Sequence, residues 1–211
     1  MQKIKFYGYK IVAKLFPSII WSKSIDAPNV YFTFDDGPHP KITPQILDIL
    51  KEYNCLATFF LVGKNLCKYP KVVSRILQEG HTIGLHSYSH KMLLLKSRQQ
   101  LLYELLQPQK DLQEIIGIRP TIFRPPFGKF TPGVIKLCNQ LELTVIMWTI
   151  MSYDFDLSVP NQQITTKISR LLKNGDIVVF HDGDDNSART VKILPEIIED
   201  ALHKGKLLTA L

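Results

Sequence analysis

Short apolar runs alternate with longer amphipathic stretches along most of this chain, and this alternation constrains its fold more than any other feature. Strands are predicted for runs rich in β-branched and aromatic residues, which cover 30–34, 58–62, 81–85, 122–124, 143–148, 176–180 and 207–209. Helices are predicted to begin near residues 43, 70, 97, 131, 161 and 190. Such alternation requires right-handed crossovers and a parallel sheet. About seven units fill the chain, which predicts an α/β barrel slightly short of eight units.

Three local predictions concern how these elements begin, bend and connect. Thr43 is predicted to cap the first helix, with Pro44 at the first helical position. Pro108 lies inside the longest helical stretch and is predicted to kink or split it, because proline removes an internal hydrogen bond. The segment 149–160 is predicted to be a loop.

The composition fits a monomer with a single globular domain. The chain has 211 residues, of which 45% are hydrophobic and 21% charged, so it can build a sizeable core. The formal net charge of +7 suits a nucleic acid, an anionic cell surface or an acidic polymer as a partner. We expect no nucleic-acid binding, since no arginine-rich tract or basic patch with interleaved aromatic residues is present.

The cysteines argue against a disulfide-stabilised scaffold. Cys55, Cys67 and Cys138 are odd in number, and none belongs to a CxxC pair. Each lies in an apolar or helical context, so we expect three buried free thiols.

The first 28 residues are predicted to form a basic amphipathic segment that precedes a domain over 29–211. In a helix, Ile4, Tyr7, Ile11 and Leu15 would share one face, with lysines beside it. Residues 1–21 could lie on an anionic membrane, or the helix could dock onto the domain. The lysines interrupt any apolar core that a signal peptide needs, so neither a cleavable signal nor a transmembrane helix is expected.

Unusual polar residues follow five of the predicted elements. In chain order they are Asp35 with Asp36, His86 with His90, Arg124, Asp154, and His181. Taken singly, each has a structural explanation, such as a solvated acidic turn, two surface histidines or a strand-end ion pair. Functional groups of parallel sheets collect at the carboxyl ends of strands, so their joint occurrence at one end favours an active site.

The residue types indicate metal-assisted hydrolysis. His86 and His90 can face one ion, and Asp36 can complete a three-ligand site with open positions. Such an ion polarises a carbonyl and makes a bound water nucleophilic near neutral pH. Asp35 is then left to accept the proton of the water, with its charge held by Arg124.

A second pair of residues suits the acid of the same reaction. His181 could protonate the leaving amine, and Asp154 could orient its ring as carboxylates orient imidazoles elsewhere. With Asp35 as the base, each proton transfer of an amide hydrolysis has one candidate group.

Five motifs occur in order along the chain. They are Thr-Phe-Asp-Asp-Gly-Pro at 33–38, His-Ser-Tyr-Ser-His at 86–90, Arg-Pro-Pro-Phe-Gly at 124–128, the region 148–155, and Val-Phe-His-Asp-Gly at 179–183. With these motifs the chain resembles the polysaccharide deacetylase family, the carbohydrate esterases that share the NodB homology domain. The resemblance runs from about Val30 to the end. It implies a distorted (β/α)7 barrel, and metal-dependent removal of an N- or O-acetyl group from a sugar.

The resemblance also implies a role for each site residue. Asp35 would be the base and Arg124 its tether, while His181 would be the acid and Asp154 the tether of that acid. The ion, expected to be zinc with Co²⁺, Ni²⁺ or Mn²⁺ as alternatives, would be held by the three metal ligands. These ligands would be Asp36, His86 and His90.

The remaining implied roles concern the acetyl group. The backbone N–H of Phe127 would help to hold the oxyanion, and Phe155 with Val179 would line a pocket for the acetyl methyl group. The sequence departs from the family at three positions. Met151 stands where members often have Asp, Phe155 replaces the usual Trp, and Phe127 replaces the frequent Tyr.

Several substrates fit this interpretation. Chitin oligomers, peptidoglycan, other acetylated glycans and smaller amino sugars all present an N-acetyl group. A lipid-linked amino sugar, deformylated or deacetylated, is an alternative that would suit the basic N-terminal segment, and an inactive carbohydrate-binding protein is an alternative of another class. A glycan substrate implies the cell surface or periplasm, or a membrane-associated location.

Overall fold

The strand β1 (Asn29–Asp35) lies at the centre of a parallel sheet. All its residues after Asn29 are buried, as expected for a strand that is covered on both faces. The structure, a computed structural model, describes residues 13–211. The further strands are β2 (Thr58–Leu61), β3 (Thr82–Leu85), β4 (Ile122–Phe123), β5 (Thr144–Val145), β6 (Ile150–Met151), β7 (Ile177–His181) and β8 (Leu207–Leu208).

These strands curl into a barrel. Every pair is parallel, in the order β5-β4-β3-β2-β1-β7-β6, and β8 pairs with the start of β1. Within residues 13–211, β5 and β6 are not paired with each other, so the barrel is distorted at that seam. The predicted α/β fold, a single-domain distorted barrel of seven units, is confirmed.

Helices and short 3₁₀ turns connect the strands. The helices are α1 (Ile42–Glu52), α2 (Gly63–Leu66), α3 (Pro70–Gln78), α4 (Arg98–Ile116), α5 (Pro132–Gln140), α6 (Asn161–Leu171) and α7 (Ala188–His203), and the 3₁₀ turns are Pro126–Gly128 and Asp185–Ser187. Each long helix buries one apolar face. On α1, for example, Ile46, Leu47 and Leu50 have no exposed surface.

The two faces of β1 meet different surroundings. Val30, Phe32 and Phe34 belong to the large apolar cluster shared with the helices. Tyr31 lies on the opposite face, in a small cluster with Phe60, Ile146 and Ile177. Thr33, which shares the face of Tyr31, contacts Arg124. The interior of the barrel therefore holds a charged side chain.

The start of α1 differs from the prediction. The helix begins at Ile42, and the side chain of Lys41 at the cap position makes no capping hydrogen bond. Thr43 is buried within the first turn instead. Its hydroxyl accepts a hydrogen bond from the N–H of His39, at 2.8 Å, and donates one to Asp182. The prediction failed because the hydroxyl of Thr43 bonds to Asp182, a residue distant in the sequence, and does not cap the helix.

Two further predictions about elements need correction. Pro108 does not split α4, which runs unbroken over 19 residues with Pro108 buried in it, while a kink at Pro108 stays a prediction. The predicted loop 149–160 contains strand β6, whose Ile150 and Met151 pair with Val178 and Val179 on β7. A strand of two residues has too few positions to show an alternating pattern, so only its neighbour on β7 reveals it.

The cysteines follow the prediction at two positions out of three. All three thiols are free, and Cys55 and Cys138 are buried, but Cys67 is exposed on the turn after α2. The short helix α2 was not predicted, because four residues are too few to display a helical period.

The chain before β1 also contacts the barrel. Ile19 and Trp21 are buried, and Ile20 forms a parallel bridge with Ile146 beside β5. Most of the predicted amphipathic helix lies outside the described residues, and its contact with a membrane stays a prediction. Across residues 13–211, the helices include none with the length and apolar character needed to cross a bilayer.

Candidate active site

The parallel strands bring the predicted polar residues to one end of the barrel. Asp35 ends β1, and its partners across the sheet are Phe60 on β2 and His181 on β7. His86 follows β3, and Arg124 follows β4. The carboxyl ends of these strands therefore form one continuous surface on which side chains from distant parts of the sequence meet.

Asp36, His86 and His90 converge on one point. Oδ1 of Asp36 lies 2.9 Å from Nε2 of His90 and 3.3 Å from Nε2 of His86. One ligand atom from each residue lies within 4.8 Å of the others. Oδ1 of Asp36 is buried yet has no hydrogen-bonded partner, so neither close contact has hydrogen-bond geometry. An unsatisfied carboxylate oxygen facing two imidazole nitrogens fits a divalent cation.

Contacts around His86 and Asp36 give these side chains an orientation and a charge that suit metal binding. Nδ1 of His86 lies 2.8 Å from the carbonyl oxygen of Arg124, which fixes the ring and leaves Nε2 towards Asp36. Burial alone would raise the pKa of Asp36, but contacts with the two imidazoles lower it well below its usual range. Asp36 is therefore held as a carboxylate, the form that binds a metal ion.

The backbone around the triad adopts unusual conformations. Asp36, Ser87, His90 and Phe127 have φ angles of 78°, 61°, 55° and 60°, in the left-handed region that side chains other than glycine rarely adopt. Such residues cluster at functional sites when surrounding contacts impose their conformation. At these four positions the backbone turns orient the side chains around the triad.

Two glycines let the loops after β1 and β7 approach each other. A Cβ atom on Gly37 would lie 2.5 Å from Oδ2 of Asp182, and one on Gly183 would lie 2.3 Å from Cβ of Asp36. Any side chain at either position would push the loops apart. Asp182 is completely buried and accepts a hydrogen bond from the N–H of Gly37 at 3.1 Å. Burial raises the pKa of Asp182 to about 7.

Asp35 and Arg124 form a buried ion pair. Nη1 of Arg124 donates to Oδ1 of Asp35 at 2.7 Å and to Oγ1 of Thr33 at 2.7 Å. Its other nitrogens donate to the carbonyl oxygens of Ile146 and Met147 at 3.2 and 3.1 Å. Burial lowers the pKa of Arg124, and the charge of Asp35 opposes that change. The guanidinium of Arg124 therefore has a hydrogen-bond acceptor for each of its nitrogens, as a buried charge requires.

His181 and Asp154 form a second pair. Nδ1 of His181 lies 2.7 Å from Oδ1 of Asp154, a carboxylate that also accepts hydrogen bonds from Ser152 and Thr190. Burial would lower the pKa of His181, but the bond to Asp154 and nearby carboxylates raise it to about 9. The imidazole is therefore protonated at neutral pH, and its Nε2 is not involved in the pair.

A cleft of about 420 Å³ opens at the end of the barrel that carries the triad and His181. Its lining combines Asp36, His90 and His181 with Phe155, whose ring stands edge-on to His181 at a centroid distance of 5.1 Å. Phe127 is 57% exposed, and its ring centroid lies 4.8 Å from that of His90. Among the described residues, the N–H of Phe127 has no hydrogen-bonded partner.

One residue from the predicted acetyl pocket lies deeper than the others. Val179 has no exposed surface and does not line the described cleft. Met151, at the position where the sequence departs from the family, presents its carbonyl oxygen to Nζ of Lys167 at 2.8 Å. Its side chain is not required for the pair between Asp154 and His181, because Ser152 and Thr190 supply the other contacts of that carboxylate.

Sequence reasoning missed several polar residues near the site. Glu104 is buried on α4 and bonds to the segment between His86 and His90, while Lys64 and Lys68 line the cleft. Glu104 left a detectable signal, because it falls on the apolar stripe of α4 beside Leu101. A charge on an apolar stripe requires a buried partner. The two lysines left no signal that separates them from other surface lysines.

The fold and the site together define a class, an α/β barrel whose carboxyl-end cleft combines a triad suited to a metal ion with separate acid and base candidates. A family model described as polysaccharide deacetylase matches residues 22–146. The chain is 33% identical over 188 residues to a peptidoglycan-N-acetylglucosamine deacetylase of Bacillus cereus, which covers 89% of this chain and 88% of that relative. It is 33% identical over 161 residues to a chitooligosaccharide deacetylase of Azorhizobium caulinodans, with 74% of each chain covered.

A solved structure agrees with these relatives. The crystal structure of a peptidoglycan N-acetylglucosamine deacetylase in complex with an N-oxidanyl-benzamide matches with a TM-score of 0.88, at 30% identity. The match covers 92% of this chain and 91% of that chain. The chain belongs to the polysaccharide deacetylase family, whose members are hydrolases that act on amide bonds.

The buried ion pair generates a prediction about stability. Arg124→Met should lower the free energy of unfolding by about 3–5 kcal/mol, because Asp35 would stay buried without its cation. Combining it with Asp35→Asn should lower stability by less than the sum of the two single losses, because the uncompensated charge is gone. Urea unfolding of the four proteins tests this.

The exposed Lys129→Met substitution is the matched control, and it should change stability by no more than about 0.5 kcal/mol. Strictly additive losses in Arg124→Met and Asp35→Asn would show that the two side chains do not interact.

Proposed function

We propose that this protein removes N-acetyl groups from amino sugars of a glycan, with a divalent cation held by Asp36, His86 and His90. The observation that carries the proposal is the convergence of three groups with different chemistry at one end of the barrel, where β1 and β7 pair Asp35 with His181. These are the triad, Asp35 paired with Arg124, and the protonated His181 paired with Asp154. Each group supplies one requirement of amide hydrolysis.

The three ligands fit zinc, which binds imidazole and carboxylate and keeps open positions in catalytic sites. Co²⁺, Ni²⁺ and Mn²⁺ share enough of this preference to be alternatives. When bound, the ion supplies Lewis-acid polarisation of a carbonyl and lowers the pKa of water. Asp36 is already ionised, and the Nε2 atoms of both histidines face it, so the ligands need no large rearrangement.

Asp35 is proposed to be the general base. Arg124 donates a hydrogen bond of 2.7 Å to the carboxylate of Asp35 and so fixes its position. As the oxygen of water forms its bond to the carbonyl carbon of the acetamide, the proton of that water passes to the carboxylate of Asp35. Arg124 does not contact the substrate in this scheme, so it is a positioning residue.

His181 is proposed to be the general acid. Asp154 holds Nδ1, which leaves the proton on Nε2 for the amine nitrogen. When the carbon–nitrogen bond breaks, the nitrogen takes that proton, and the products are acetate and a free amino sugar. A pKa near 9 keeps His181 in the acid form at neutral pH, as this role requires.

The proposed acetyl site lies between these groups. The unpartnered N–H of Phe127 is suited to receive the oxyanion, because the strained turn at Phe127 fixes its direction. Phe155 lines the same cleft and is proposed to contact the acetyl methyl group. Val179 is proposed to support that contact from the core, since it has no exposed surface of its own.

The relatives act on peptidoglycan and chitooligosaccharides, as their names state, so a β-linked amino-sugar polymer is the proposed substrate class. A peptidoglycan substrate would place the protein at the cell surface or in the periplasm. Both proton-transfer pairs are complete, which favours turnover over carbohydrate binding alone. No described contact favours a lipid-linked sugar over a polymer.

The proposed roles of the two aspartates, base for Asp35 and metal ligand for Asp36, can be tested directly. Asp35→Asn should lower kcat by at least about 100-fold while zinc still binds, because the base is lost and the ligands remain. Asp36→Asn should weaken zinc binding as well as activity. Apo protein prepared with a chelator is titrated with Zn²⁺ by calorimetry, and acetate release is measured on the same samples. Loss of zinc binding in Asp35→Asn would reverse the assignment.

The pKa of His181 generates a prediction about pH. Since the protonated ring is the acid, kcat/KM should fall at alkaline pH, as the pH rises through the pKa of His181, which burial would lower but which the bond to Asp154 holds above its usual range. Asp154→Asn removes the charge that raises this pKa, so the alkaline limb should move to lower pH by about 1 unit or more. The exposed Asp156→Asn, two residues away, is the control and should leave the limb in place. An unchanged limb in Asp154→Asn would exclude His181 as the titrating acid.

A further inference from the structure

Two lysines line the cleft on the side of α2. Lys64 lies in α2, and Lys68 lies in the turn that follows it. Hydrogen bonds from the N–H groups of Lys68 and Tyr69 to the carbonyl oxygen of Asn65 continue the helical winding past the end of α2. A spacing of four residues then places both lysines on one side of the winding. They border the same cleft as His90 and His181.

The position of this cleft wall is fixed by the loops that carry the site. The N–H groups of Gly63 and Lys64 donate to the carbonyl oxygens of Ser87 and Tyr88, each at 2.9 Å. A Cβ atom on Gly63 would lie 2.7 Å from Cδ2 of Tyr88, so only glycine permits this approach. The lysines are therefore held next to the segment that carries His86 and His90.

The charges of the two lysines are not compensated within the cleft. Neither lysine forms an ion pair with a described residue. The acidic residues of the cleft lining contact other groups instead of the lysines. Asp36 faces the histidines, and Asp184 accepts hydrogen bonds from Ser187. Like charges four residues apart destabilise a helical turn slightly, so this arrangement costs stability without an internal benefit.

We propose, on the basis of the function proposed above, that Lys64 and Lys68 form a subsite for a carboxylate carried by the glycan substrate. A cleft of about 420 Å³ holds roughly one or two sugar rings. Because Lys64 and Lys68 border the same cleft as Asp36 and His90, a carboxylate on the same or the adjacent sugar is proposed to lie beside the lysines when the acetamide is at the triad. The ether-linked lactyl group of N-acetylmuramic acid carries such a carboxylate where no stem peptide is attached to it, whereas chitooligosaccharides have none. The preferred substrate is therefore an anionic amino-sugar glycan.

The test compares two substrates of equal length, a peptide-free glycan oligomer of peptidoglycan whose N-acetylmuramic acid has a free lactyl carboxylate and a neutral chitooligosaccharide. For Lys64→Ala/Lys68→Ala, the ratio of kcat/KM for the carboxylated over the neutral substrate should fall by about 3- to 30-fold, mainly through KM. The loss should shrink as salt is added, because the subsite is exposed. Lys64→Arg/Lys68→Arg should restore most of the ratio.

The control is Lys51→Ala/Lys71→Ala, which removes the same charge from lysines that do not line the cleft. An unchanged substrate ratio in Lys64→Ala/Lys68→Ala, or an equal fall in the control, would overturn the subsite. Absence of acetate release from both substrates with the native protein would instead contradict the proposed function. In that case, equilibrium binding of the same carboxylated oligomer decides: weaker binding to Lys64→Ala/Lys68→Ala supports the subsite, and equal binding overturns it.

A different observation supports a second inference, which concerns the buried Glu104 on α4. This side chain is 3% exposed, and its carboxylate accepts hydrogen bonds from the N–H and the hydroxyl of Ser89 at 2.8 and 2.6 Å. Nζ of Lys96 lies 2.8 Å from the same carboxylate. Ser89 precedes His90, whose φ of 55° needs support from its surroundings.

We infer that Glu104 is a positioning residue for the metal ligand His90. It fixes the segment 86–90 from the helix side, while the hydroxyl of Ser87 accepts a hydrogen bond from the N–H of His90 within the segment. Groups hydrogen-bonded directly to a metal ligand change metal affinity by about 10- to 100-fold when they are removed. Glu104 acts through the neighbouring Ser89, so we expect an effect at the lower end of this range. Glu104 would act in this way without touching the ion.

Glu104→Gln should raise the Kd for Zn²⁺ by about 10-fold or more in calorimetric titration of folded protein. Ser89→Ala, which removes only the hydroxyl contact, should raise it by a smaller factor. The exposed Glu114→Gln on the same helix is the control and should leave the Kd unchanged. An unchanged Kd in both Glu104→Gln and Ser89→Ala would overturn the inference, and urea unfolding separates a change in affinity from a loss of fold.

Discussion

The ion pair between Arg124 and Asp35 is the interaction on which the rest of the site depends. Arginine stays charged in proteins, so a guanidinium without exposed surface requires a complete set of acceptors. It finds them on Thr33 and Asp35 of β1 and on the carbonyl oxygens that follow β5, and it packs over the ring of Phe60 at 4.0 Å. The pair thereby joins non-adjacent strands inside the barrel and fixes the position of the Asp35 side chain.

Much of the fold and site could be predicted because the relevant signals are local. The order of strands and helices follows from short apolar runs, and the polar residues at the strand ends follow from the rule for parallel sheets. The pairs Asp35–Arg124 and Asp154–His181 were assigned on residue chemistry and family resemblance, and the structure places both at 2.7 Å.

What escaped prediction depends on contacts between distant residues. The hydroxyl of Thr43 donates a hydrogen bond to Asp182 and does not cap α1, because the loops after β1 and β7 approach closely at Gly37. Glu104 carries a charge on an apolar stripe, a signal visible in the sequence, but its partner Ser89 is known only once α4 is placed. Strand β6 and helix α2 are too short to show a period, so only tertiary contacts define them.

The distribution of charge explains how the proposed base and the proposed acid can lie close together at one end of the barrel. Among the five groups that form these pairs and the triad carboxylate, Asp35, Asp36 and Asp154 face two cationic side chains, Arg124 and His181, which leaves one negative charge before Asp182 is counted. A divalent cation at the triad would reverse this to one positive charge. Hydrolysis of an amide develops negative charge on the carbonyl oxygen, and a site with a positive balance stabilises it. The negative balance of the protein alone favours cation binding, and the positive balance of the loaded site favours the reaction.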